Sequence, residues 1–245
     1  MVYTWILFDA DNTLFDYDRA EKAALQSSFE QFGFGFDPGC LATYRQINGQ
    51  IWQAFERGEI TPAVIKSRRF ELLFEALGKQ ADPQAFGERY LENLGQGTTL
   101  IDGAEQVVRA LHGKINLALI TNGLQKVQRA RLAKSAIGDC FDAVIISEEV
   151  GASKPDVAIL EIAFAKMRAA CKTDVSKADV LIVGDSLTSD IQGGNNYGID
   201  TCWFNPSHEP RSTEVAIRYE IHRLDELLDI VGVNLSSRCP EQSFQ

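Results

Sequence analysis

"YTWILFDADNTLF", residues 3–15, carries an apolar run straight into two aspartates separated by one alanine. The run is short and rich in aromatic and large aliphatic side chains. It reads as a strand buried on both faces, the kind found inside a parallel sheet. Asp9 and Asp11 then stand at its carboxyl end. Like charges that close repel, and a buried unpaired carboxylate is costly. Taken alone, the pair reads either as a solvated turn, which Asp and Asn favour, or as the seat of something cationic.

Four similar runs come much later: "INLALIT" (115–121), "DAVIIS" (142–147), "ADVLIVGD" (178–185) and "GIDTCWF" (198–204). Helical patterns separate them, at 103–113, at 124–138 with Gly138 as the expected C-cap, and at 155–170 with Pro155 in the first turn. Strand and helix in alternation predict an α/β protein with a doubly wound parallel sheet and right-handed crossovers. Residues 16–96 have another texture. Four amphipathic stretches closed by glycine predict an all-α insert, with Thr61 and Pro62 as one N-cap and N1 pair. The expected division is a core of 1–15 and 97–235, an insert of 16–96, and a flexible tail of 236–245. The insert leaves the core just after Asp11, over the sheet edge where open α/β folds bind ligands.

The chain has 245 residues, a net charge of −10 and 45% hydrophobic residues, enough for a large core. Such acidity argues against a nucleic acid polymer as partner, but not against a small anion held by a local cation. Five cysteines, at 40, 140, 171, 202 and 239, show no metal-ligand or redox-pair spacing and read as reduced thiols. With no signal peptide and no apolar run of membrane-spanning length, a cytoplasmic protein without membrane attachment is expected, a monomer or homodimer.

Four polar patches fall at predicted strand ends: Asp9, Asp11 and Thr13; Thr121, Asn122 and Gly123; Lys154; and Asp185 with Asp190. In a parallel sheet these ends share one edge, so the patches converge. Several carboxylates in one cleft require a cation, and an all-oxygen donor set suits Mg²⁺. Lys154 adds fixed positive charge, and Thr121 and the Asn122–Gly123 turn add donors. Together they form a receptor for a phosphoryl group. No serine lies in a nucleophile elbow, and His112, His208 and His222 lie outside the patches. A carboxylate nucleophile remains, with Asp9 the rigidly held candidate and Asp11 placed to shuttle a proton.

The ordered set D-x-D-x-T, strand-Thr-Asn, Lys-Pro and G-D-x-x-x-x-D resembles the haloacid dehalogenase (HAD) superfamily, in particular its Mg²⁺-dependent phosphatases. The resemblance covers a Rossmann-like core, with the insert similar to the family's helical cap. It implies Asp9 as nucleophile and metal ligand, and Asp11 as general acid/base that also binds metal through its backbone carbonyl. Thr121, Asn122 and Lys154 would hold phosphate and Asp185 would ligate Mg²⁺. Asp190 would support the metal shell or orient Lys154, and Thr13 would support the first patch. Within the superfamily, "WILFDADNTLFDYD" (5–18), "FERGEITPAVIKSRRFE" (55–71) and "VIISEEVGASKPD" (144–156) resemble bacterial pyrimidine 5′-nucleotidases of the house-cleaning type. That implies a small phosphorylated metabolite, a nucleoside monophosphate, as substrate.

Competing readings are a sugar-phosphate phosphatase of the sialic acid phosphate type, a haloacid dehalogenase and a non-enzymatic phospho-acceptor. Asp11 speaks against the dehalogenase, and the insert against a receiver-like acceptor. On the cap, Trp52 and Phe55 are candidates to stack a base, although aromatics at helical spacing more often pack a core. Phe32, Phe34 and Phe36 read as packing for the cap hinge or a loop. Arg68 and Arg69 read as a solvated helix face.

Overall fold

The computed structural model describes residues 3–211 and 214–234; Cys239 and the expected tail lie outside them. The first strand, β1 (Trp5–Phe8), leads into four helices: α1 (Tyr17–Gln31), α2 (Pro38–Glu56), α3 (Pro62–Leu77) and α4 (Pro83–Leu94). The chain then alternates: α5 (Ala104–Leu111), β2 (Asn116–Thr121), α6 (Gln125–Lys134), β3 (Ala143–Ile146), α7 (Ser147–Val150), α8 (Val157–Cys171) and β4 (Val180–Gly184). It ends with α9 (Gln192–Tyr197), β5 (Asp200–Phe204), β6 (Tyr219–Ile221) and α10 (Glu226–Val231).

All six strands are parallel, in the order β3-β2-β1-β4-β5-β6. Side chains alternate across the sheet, as the pleat demands. Ile6, Phe8, Leu119 and Val183 face α5 and α10, while Trp5, Leu7, Ile120 and Ile182 face α8. Both faces are covered, which is why the strands read as unbroken apolar runs. The sheet builds outward one way through β2 and β3, then the other way through β4 and β5. The reversal lies between β1 and β4, the place where open sheets bind ligands.

Four predictions are refined. The expected five strands gain a sixth, β6, a short edge strand in which only Ile221 is buried, so no apolar run announces it. Helix α6 stops at Lys134, because Ser135 is extended; Gly138 is instead needed where the chain passes over the Leu132 carbonyl. Helix α8 starts at Val157, and Asp156, rather than Pro155, caps it by accepting from the Ala158 N–H at 2.9 Å. Thr61 occupies the N-cap of α3 without a side-chain cap bond.

Helices α1–α4 share their own core, which also takes in Leu124 and Val127 beside α6. Phe32, Phe34 and Phe36 lie in the loop between α1 and α2, partly buried, and pack against that core through Phe29, Phe74 and Phe86, as expected of a loop rather than of a hinge. The chain enters and leaves the helices through paired segments. Phe15 bridges Leu100 in antiparallel fashion, and the Asp16 N–H donates to the Thr99 carbonyl at 3.0 Å. Phe86 is fully buried and meets Phe29, Phe32, Phe70 and Phe74 with ring centroids 5.0–5.5 Å apart. Phe86→Ala is therefore expected to destabilise the chain by about 3–5 kcal/mol, measurable as a lowered midpoint in urea unfolding followed by circular dichroism.

Candidate active site

Asp9 and Asp185 leave neighbouring strands side by side. Phe8 pairs with Val183 in the β1–β4 ladder, and the Asp9 N–H donates to the Val183 carbonyl at 2.9 Å. Asp190 comes from a single π-helical turn just beyond. Gly184 lets it close in, since a side chain there would collide with the Asp190 carboxylate. Asp9, Asp185 and Asp190 each bring a carboxylate oxygen within 4.8 Å of the others.

Lys154 lies at the centre, fully buried. Its ammonium donates to Asp9 Oδ1 at 2.6 Å, Asp190 Oδ1 at 2.6 Å and the Ile120 carbonyl at 2.9 Å, which uses all three of its donors. Burial works against the charged lysine, but Asp190 and Asp9 outweigh it and hold its pKa above the usual value. Asn122 fixes the lysine's backbone from both sides. It accepts from the Lys154 N–H at 2.8 Å and donates to the Lys154 carbonyl at 2.9 Å. Thr121 Oγ1 accepts from the Gly123 N–H at 3.0 Å, and its hydroxyl proton remains free to donate. Thr13 Oγ1 accepts from the Asp185 N–H at 3.1 Å and so ties the first patch to the fourth. Asp190 spends its second oxygen on the Ser186 N–H at 3.0 Å.

The two aspartates of the opening stretch have different partners. Asn12 adopts φ 61°, a left-handed conformation that Asn tolerates, and the loop folds back so that Asp11 bridges Phe15. Asp11 Oδ1 accepts from Arg131, and Oδ2 accepts from Gln128 Nε2 at 2.7 Å. Arg131 also donates to the Gly97 carbonyl at 2.8 Å and lies 4.4 Å over the Phe15 ring. It thus touches both segments that join the helical insert to the sheet. Neither Gln128 nor Arg131 was expected from the sequence. Their signal was positional: 124, 127, 128 and 131 form one buried stripe, and two of the four positions are polar.

With Arg131 opposite Asp11, the floor holds three carboxylates against the single Lys154 ammonium. Burial raises the Asp9 carboxyl to about 7, with Lys154 opposing and Asp190 and Asp11 adding to the rise. Burial also raises Asp185 well above the carboxylate range, reinforced by Asp9 and Asp190. Three carboxyls that resist ionising together beside one ammonium, and an all-oxygen donor set, fit a hard divalent cation such as Mg²⁺.

From the insert, Tyr17, Asn48 and Trp52 close a cavity of about 280 Å³ over this floor. Phe55 packs edge-on to Trp52 at 5.6 Å. Arg68 is exposed and paired with Glu71, as a solvated face requires. Arg69 departs from that expectation and is buried within the insert.

Between about pH 4, where the unfolded chain loses the Asp9 proton, and about 7, where the folded chain does, the folded state binds more protons. The Asp9 contribution to stability therefore falls as pH rises through that window. Mg²⁺ added to EDTA-treated protein is expected to raise the thermal midpoint more at about pH 8 than at about pH 5. At 100-fold excess over Kd the gain is about 2.7 kcal/mol, and Asp185→Asn is expected to diminish it. Scanning fluorimetry checks both.

Comparison with known proteins agrees with this arrangement. The haloacid dehalogenase-like hydrolase family profile matches residues 6–204. The chain is 34% identical to the pyrimidine 5′-nucleotidase PynA of Streptococcus pneumoniae over 236 residues, covering 96% of this chain and 98% of that one. It is also 34% identical to the pyrimidine 5′-nucleotidase YjjG of Escherichia coli, covering 93% and 97%. Among solved structures, the magnesium-bound HAD-hydrolase YfnB of Bacillus subtilis superposes with a TM-score of 0.88 at 35% identity, covering 95% of this chain and all of that one. A parallel sheet wound in this order, with carboxylates, lysine and threonine gathered at its switch point, places the chain in the haloacid dehalogenase-like hydrolase family.

Proposed function

We propose that the protein is a Mg²⁺-dependent phosphomonoesterase that hydrolyses pyrimidine nucleoside 5′-monophosphates through an aspartyl-phosphate on Asp9. Residues 1–15 and 97–235 would form the catalytic core and 16–96 the cap. The observation that carries the reading is the separation of the two aspartates. Asp9 is fixed against Lys154 at the floor, while Asp11 is held to one side by Arg131 and Gln128. One carboxylate attacks and the other transfers the proton.

Asp9 Oδ1 is engaged by Lys154, so Oδ2 is the attacking oxygen. It forms a bond to phosphorus as the ester P–O bond breaks, and Asp11 gives its proton to the departing alkoxide. Asp11 then takes a proton from water, whose oxygen attacks phosphorus and displaces Asp9, releasing phosphate. The Thr121 hydroxyl and the Asn122–Gly123 turn would hold the phosphoryl oxygens, and Lys154, its donors engaged by Asp9, Asp190 and Ile120, would add positive charge beside them. Carboxylates of Asp9 and Asp185 and the backbone carbonyl of Asp11 would hold Mg²⁺, which supplies positive charge to the phosphoryl oxygens. Asp190 and Thr13 keep Lys154 and Asp185 in place.

The nucleotide assignment draws on the two pyrimidine 5′-nucleotidases, whose similarity runs through the cap as well as the core. Phosphate release from UMP is expected to require Mg²⁺ and to stop with EDTA. Asp9→Asn is expected to lower kcat by more than about 1,000-fold, and Asp11→Asn by roughly 100- to 10,000-fold. Full activity in Asp9→Asn, in protein with unchanged circular dichroism, refutes Asp9 as nucleophile.

A further inference from the structure

Arg69 on α3 is buried, yet only part of its guanidinium is matched. Nη1 donates to Asn48 Oδ1 at 2.9 Å, whereas Nε and Nη2 have no partner among the described residues. The guanidinium is surrounded by aromatic faces, 4.9 Å from the Phe70 ring centre, 5.0 Å from Tyr90 and 6.0 Å from Tyr44. The buried carboxylate on α1, Glu21, does not answer it, because Glu21 accepts from Arg45 at 2.7 Å and from Asn48 at 3.4 Å. Burying a charge with idle donors is unfavourable for folding alone, and an aliphatic side chain would fill the same space without that penalty.

The position of Arg69 explains the expense. With Tyr17 and Trp52 it lines a recess of about 30 Å³. That recess and the main cavity share Asp11, Tyr17, Trp52 and Gly123 among their lining residues, so the two lie side by side. The recess has room for about one oxygen-sized group, while the larger cavity beside Trp52 has room for a ring. Asn48 adds no acceptor, since its Oδ1 is already taken by Arg69. The idle Nε and Nη2 of Arg69 are thus buried beside the recess, and the aromatic rings of Tyr17 and Trp52 line both it and the cleft.

We infer that Arg69, held by Asn48, is the specificity residue of the cap, receiving a carbonyl oxygen of a flat leaving-group ring that lies against Trp52. The inference rests on the phosphatase reading and extends it to the leaving group. Uracil and thymine offer such carbonyl edges. A ring presenting only an amino edge would set donor against donor. A charge-assisted bond of this kind is among the stronger ones.

Steady-state kinetics on UMP and on phenyl phosphate, whose ring carries no acceptor oxygen, test it. Arg69→Met is expected to lower the UMP to phenyl phosphate ratio of kcat/KM by about 10- to 100-fold, mainly through the KM for UMP, and Arg69→Lys to recover part of the ratio. An unchanged ratio overturns the inference, whether both activities fall or neither does. Should the variants fail to fold, the wild type decides: ribose 5-phosphate is expected to be the poorer substrate by about the same factor, and equal kcat/KM for it and UMP overturns the inference. Wild-type protein that releases phosphate from none of these esters refutes the phosphatase reading itself.

Discussion

The buried ammonium of Lys154 is the interaction on which the site depends. Three strand ends meet at it: Asp9 after β1, the Ile120 carbonyl in β2, and Asp190 in the turn after β4. A lysine with every donor used has one position, so it fixes the carboxylates around it. The arrangement is intolerant of partial loss, because removing the lysine would leave buried carboxylates facing each other. Its anchor is made from both directions. Asn122 clamps the lysine's backbone, and Gly184 leaves the space through which Asp190 reaches its head.

A second basic residue does a different job. Arg131 binds Asp11, the Gly97 carbonyl and the face of Phe15, so one guanidinium reads both connections of the cap and the side chain proposed to carry protons. Both oxygens of Asp11 are occupied by Arg131 and Gln128. Proton transfer at the ester needs at least one of them released. Because Arg131 contacts Asp11, Gly97 and Phe15 at once, any shift of the helical insert about Phe15 and Gly97 would alter the surroundings of Asp11 as well, the kind of coupling that closure steps use.

The sheet was legible because each interior strand is buried on both faces, which leaves a continuous apolar run with a polar residue at its end. The four patches were legible because those strands are parallel, so separate ends share an edge. β6 was hidden, since an edge strand with one buried residue has no run to show. Gln128 and Arg131 were hidden because a helix with polar residues on its buried stripe resembles a solvated helix until its partners are known. Arg69 was misplaced for the same reason: nothing local distinguishes it from Arg68, and only the packing of Tyr44, Phe70 and Tyr90 around it does.

The charges of the cleft follow an order that the acidic chain makes necessary. The floor, without a cation, holds more carboxylates than ammonium groups, and the whole chain carries −10. A phosphate ester approaching that floor is repelled, and the repulsion is strong where water is excluded. Lys154 cannot remove it, because its donors are committed to Asp9, Asp190 and Ile120. On the proposed reading a phosphate ester would bind once Asp9 and Asp185 are neutralised, by proton or by cation. At the other end of the cleft Arg69 is buried with idle donors, and in the role inferred for it would meet the leaving group with positive charge. The two ends have opposite character, so a substrate with phosphate at one end and a carbonyl-edged ring at the other has one favourable orientation.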